Sequence, residues 1–228
     1  SAILTSTDPL FDDDFFRSAS ISVKGFPALE RLLFTKDKQM QRLNSVECRL
    51  ASAVAQHIHD TALAIQTEWE EEAGLILLAN NNSSSATESD EFLAYETPSE
   101  AATAFMKSLV EPIEAIRDNK LLKPLDISAQ QSRWKKSESW RSGQSIDNIR
   151  ENTLALHELY SGTRPISVKA LLEASGDTER AASIDAGFIK ITSELAQISA
   201  ITDMNITLTT HQQLMQVSDH LKELQSNL

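Results

Sequence analysis

The sequence predicts an all-α protein of two four-helix-bundle domains, the first of them incomplete in this chain. Three observations carry this. Glycine and proline number only 6 each in 228 residues, whereas Gln, Ser, Ala, Leu and Glu are frequent, a balance of few breakers and many helix formers. Long segments repeat apolar residues at steps of three and four, the mark of a helix buried along one stripe. Aromatic residues make up only 6%.

The bulk properties narrow the function. Hydrophobic residues make up 41% and charged residues 24%, the composition of a globular chain long enough to bury a core. The formal net charge is −12. This disfavours a nucleic-acid partner, which needs a basic surface, and an anionic membrane surface. Cys48 is the only cysteine, so no intrachain disulfide forms. The longest apolar run, Leu75 to Ala79, falls far short of the roughly 18 residues of a membrane span. The chain opens SAILTSTDPL, without an initiator Met.

Each element follows from its residues. Residues 1–24 lack a sustained period and read as a loop with at most one helical turn, holding Asp12 to Asp14 beside Phe11, Phe15 and Phe16. A short helix is expected from about Pro27 to Phe34, because proline suits a first helical turn. A long helix follows, roughly Lys38 to Glu72, with Leu43, Val46, Leu50, Val54, Ile58, Ala62, Ile65 and Trp69 on one stripe and Gly74 as its stop. These elements make a partial N-terminal bundle over residues 1–77. One long and one short helix do not close a bundle, so further helices are expected from an absent N-terminal segment or another chain. The polar, low-complexity stretch at 78–96 reads as a surface linker.

Residues 97–228 then carry four helices. The first has Thr97 or Ser99 as cap, with Glu100 answering Thr97. Its stripe is Ala102, Phe105, Leu109, Ile113 and Ile116, and Pro112 predicts a kink. A basic connector, SRWKKSESW, precedes the second helix, from about Ser139 to Tyr160, with Ile146, Ile149, Leu156 and Leu159 inward and Gly162 as stop. A short helical insert, Ile166 to Ala174, ends at Gly176. The third helix is capped by Asp177 and buries Ile184, Phe188, Ile191, Leu195 and Ile198. After a break near Asp203 and Asn205, the fourth places Leu214, Val217, Leu221, Leu224 and Leu228 inward.

Motif chemistry is sparse. There is no HExxH, CxxC, Walker loop, GxGxxG or GxSxG. His57 and His59 are two apart on a helix and face different sides. Together with His157, His211 and His220 they read as surface or packing residues. The runs Asp12–Asp14 and Glu70–Glu72 read as solvated charge. Two stretches stand out. In VKGFPALERLLF, Glu30 projects from the first turn of its helix, where the dipole favours a carboxylate. In SESWRSGQSIDN, Arg141, Ser142, Ser145 and Asn148 stand where a helix begins. That combination suits an anion or carboxylate, or ordinary capping by Ser139 or Ser142.

These segments resemble the imelysin-like family, formerly peptidase family M75. GFPALERLLF matches the place of its Gly-x-His-x-x-Glu signature, reading Gly25-Phe26-Pro27-Ala28-Leu29-Glu30 here. The Cys48-Arg49 pair, Trp69 near the end of the long helix and SWRSGQSIDNIRENTLALHELYSG fit the same pattern. The resemblance implies two similar four-helix bundles with a site at their interface. It implies export to the bacterial periplasm or cell surface, often with a lipid anchor outside this chain, and a link to iron uptake. The helices that precede the signature in the family are those missing from the first bundle. The signature His is Pro27 here, so the His–Glu pair that motivates the peptidase label is broken: proline offers no donor atom. No catalytic or metal-ligating residue is therefore assigned, and no cofactor beyond iron or another divalent metal comes into question.

The expectation is a non-catalytic envelope protein of iron acquisition that binds a small ligand or a protein partner. Gly25, Pro27 and Glu30 form one wall of its site; Trp140, Arg141, Ser142 and Ser145 form the other. The competing readings are a metal-dependent peptidase, which needs a second ligand set around Glu30, and a structural adaptor, which needs an exposed apolar patch.

Overall fold

The computed structural model describes residues 11–34, 40–73, 98–162, 167–199, 201 and 206–228. Every regular element among them is helical, apart from one isolated antiparallel bridge between Phe34 and Met40. The protein is all-α, with helices gathered into two bundle regions. Two compact units divide the chain, Ser1–Ala102 and Thr103–Leu228. The expected linker at 78–96, the stop at Gly74 and the break near Asp203 and Asn205 lie outside the described residues. No described helix is long and apolar enough to cross a membrane.

The first unit begins with more helix than the sequence suggests. Helix α1, Asp13–Ser18, is capped by Asp12, whose side chain accepts from Phe15 N at 2.9 Å. Asp14 pairs with Arg17 at 2.9 Å. The acidic run is thus partly spent on local structure. A 3-10 turn at Ile21–Val23 leads to α2, Gly25–Leu33. Helix α2 begins two residues before Pro27, because Gly25 takes φ +70° and turns the chain into the helix.

Helix α3 spans Ser45–Glu68 and runs on into a wider π-turn, Trp69–Ala73. It begins seven residues later than the apolar stripe suggests. Asn44 accepts from Val46 N and Glu47 N, and Glu47 accepts from Asn44 N at 2.8 Å. This reciprocal capping box fixes the start. The first-unit core is small: Phe16, Ala28, Leu50 and Val54, flanked by Phe11, Phe15, Leu29, Leu32, Ala53 and Ile58. Only the N-terminal half of the α3 stripe is covered. Ala62 is exposed, and Ile65 and Trp69 are 63% and 73% exposed.

The second unit holds the large core. Helix α4, Pro98–Ala115, contains Pro112 and passes into a π-helical stretch, Ile116–Leu122, and a last turn, Lys123–Leu125. Leu109, Ile113 and Ile116 are buried as expected, but Phe105 is 45% exposed, because the first turns of α4 lie beyond the core. After a turn at Trp134–Lys136 come α5, Ser145–Ser161, α6, Val168–Ala174, α7, Thr178–Gln197, and α8, Leu208–Asn227.

Helix α7 packs most extensively against α5 and α8, and also receives α6. Its stripe Ile184, Phe188, Ile191 and Leu195 is fully covered, with Ile198 just past its end. It meets Leu214, Val217, Leu221 and Leu224 of α8 in one core. On α5, Leu159 is exposed and Tyr160 is buried instead. The helical period carries the stripe from Ile149 through Thr153 and Leu156 to Tyr160. Asp177 stands at the N-cap of α7 but makes no side-chain cap bond; it pairs with Arg180 at 3.2 Å.

Candidate functional site

The first segment of interest is the start of α2. Gly25 stands in the left-handed region, where a Cβ is strained. Pro27 is exposed; Glu30 is half-buried and stands in the second turn of α2, not in the first as expected, because the helix already begins at Gly25. Arg31 reaches back to Ser22 O at 3.5 Å, tying the turn to the helix. Across α3, Cys48 and Arg49 are exposed.

The second segment is the turn before α5. The helix starts at Ser145, six residues later than expected, because the preceding residues form a turn closed by their own hydroxyls. Ser139 takes φ 54° and Gly143 φ 76°. Ser142 Oγ donates to Ser139 O at 3.1 Å, and Asn148 Nδ2 donates to Ser139 Oγ at 2.9 Å. Beneath it, Ser137 and Ser145 are buried with their oxygens 2.9 Å apart. Ser145 Oγ donates to Glu138 O at 2.6 Å and Ser137 Oγ to Trp134 O at 2.7 Å. Neither Ser139 nor Ser142 caps the helix: its N-cap is Gln144, which makes no side-chain cap bond. Ser145 therefore shapes the turn from inside. Trp140 and Arg141 are half-buried on top of it, the guanidinium carbon 4.4 Å from the indole centroid. That contact holds the cation over a flat apolar face.

Four of the five histidines have structural partners. His57 stacks on Phe16 with centroids 4.5 Å apart, while His59 is exposed. His157 stacks on Phe188 and lies 2.7 Å from Asp185. Lys169 reaches the other oxygen of Asp185 at 3.0 Å. These contacts hold the Asp185 carboxyl below the ordinary carboxylate range, the hydrogen bond from His157 most of all. Nearby, the Tyr160 hydroxyl donates to Ala181 O at 3.0 Å, and burial pushes it up to about 12. His220 Nδ1 lies 2.7 Å from Glu194, and His211 is buried. Periodicity alone did not reveal the two His–carboxylate pairs, since each joins residues more than twenty positions apart.

Among the described residues no group of three or more His, Cys, Asp and Glu is placed to hold a metal. The family model Peptidase_M75: Imelysin matches residues 3–228. The chain belongs to this family. No curated protein and no solved structure matches it. Within the imelysin chain, Gly25, Pro27 and Glu30 share one helix start in the first unit, and Trp140, Arg141, Ser142 and Ser145 share one turn in the second.

Proposed function

We propose that this imelysin-family chain is a non-catalytic protein of the bacterial cell envelope that acts in iron acquisition by binding a ligand or a protein partner. The observation that carries the non-catalytic part is Pro27. It occupies an exposed position three residues before Glu30 and brings no donor atom. With no His side chain at that position, Glu30 contributes a single oxygen donor group, a poor seat for a transition metal and a poor hydrolytic centre. Family membership supports the envelope location and the link to iron.

In this reading Glu30 and Arg141 supply the charges that recognise the bound molecule. Gly25 and Pro27 shape the backbone beside Glu30, and the hydroxyl-locked turn of Ser142 and Ser145 presents Trp140 and Arg141. Complementation tests it. A strain lacking the protein is grown under iron limitation and supplied with the wild type, Glu30→Ala or Arg141→Ala. The expected result is rescue by the wild type and failure of both variants at equal protein levels. Full rescue by both variants overturns the site. Growth of the lacking strain equal to that of its parent overturns the role in iron acquisition.

A further inference from the structure

The groove between α7 and α8 takes no part in that reading. It measures about 200 Å³ and is lined by Ser183, Gly187 and Lys190 on one side and His220, Glu223 and Asn227 on the other. Its two charges stand on opposite helices. The α7 wall carries the Lys190 ammonium and the Ser183 hydroxyl. The α8 wall carries the Glu223 carboxylate and the Asn227 amide, which both donates and accepts.

His220 is held beside them by Glu194, its Nδ1 2.7 Å from Glu194 Oε2. Lys190 and Glu223 line the same groove yet make no ion pair with any described residue.

We propose that this groove binds a small zwitterion, an α-amino acid. Its carboxylate sits on Lys190 and Ser183, and its ammonium on Glu223 and the Asn227 amide oxygen. The size fits: the groove's volume of about 200 Å³ lies below the ~300–1,000 Å³ of pockets for larger ligands. Both charges are needed. An isolated anion meets repulsion from Glu223, and an isolated cation meets repulsion from Lys190.

Titrating L-alanine into the intact, 15N-labelled chain tests this. The expected result is saturable amide shifts confined to Ser183–Lys190 and His220–Asn227, with acetate and methylamine each failing to saturate over the same range. Lys190→Met and Glu223→Gln each weaken the apparent affinity by about tenfold or more. Both side chains are exposed, so the variants keep the fold, which an unchanged remainder of the spectrum verifies. Shifts that never saturate, acetate that matches alanine, or saturation unchanged in both variants overturns the proposal.

Discussion

Gly25 is the residue on which the signature helix turns. With φ at +70° it adopts a conformation that L side chains avoid. A Cβ there finds room, its nearest neighbour being Pro27 Cδ at 3.7 Å, so the strain is in the backbone and not in packing. Gly25→Ala should therefore destabilise the first unit by about 1–2 kcal/mol, read as a lower urea midpoint in far-UV circular dichroism. Asp185 and Tyr160 each add a pH dependence to the stability of the second unit. The carboxyl of Asp185 is lowered from 3.8 in the folded state. Its contribution is present above that value and is lost as pH falls through the folded one. Asp185→Asn should lower stability at neutral pH by about 1.5–3 kcal/mol and flatten the acid limb of a stability–pH curve. Tyr160 acts at the other end: raised from 10.0 to about 12, it favours the neutral folded form. Its contribution is intact below pH 10.0 and disappears as pH rises towards about 12. Tyr160→Phe should flatten that alkaline limb.

Among the elements, α3 separates pattern from packing. Its apolar residues recur at helical spacing from Val46 to Trp69, and on periodicity alone all look alike. The structure covers Leu50 and Val54 and leaves Ile65 and Trp69 exposed. Leu50→Ala should cost about 2–5 kcal/mol, whereas Trp69→Ser should stay within about 0.5 kcal/mol. Thermal and urea denaturation of both variants checks the contrast, and a loss at Trp69 comparable to that at Leu50 would mean the far half is covered. The large apolar positions of α7 and α8 were legible because each meets a neighbour, whereas Ala181, His211 and Ser218, buried on the same helices, are too small or too polar to mark a hydrophobic period. The start of α5 was not. It depends on Ser137 and Ser145 bonding beneath a turn with a positive φ at Ser139, and no period records such contacts. Leu159 was misplaced by a single residue, since it sits next to the true stripe position, Tyr160. The start of α3 was written in the sequence as Asn44-x-x-Glu47, a capping box that the long apolar stripe obscured.

For the whole molecule, family and fold were legible, because both rest on ordered segments spread along the chain. The match over residues 3–228 establishes the family. The proposed function rests on fewer atoms, because it turns on the single side chain of Pro27, three residues before Glu30. Proline fits near the start of α2, where its missing N–H is not needed, so the fold tolerates a residue that the metal chemistry does not. The most direct test is a zinc and iron(II) titration by calorimetry of the wild type, Glu30→Ala and Pro27→His. The expected result is no stoichiometric binding that depends on Glu30 in the wild type, and a gain of binding when Pro27→His places a donor one turn from Glu30. One-to-one binding by the wild type that Glu30→Ala abolishes would contradict it and restore the peptidase reading.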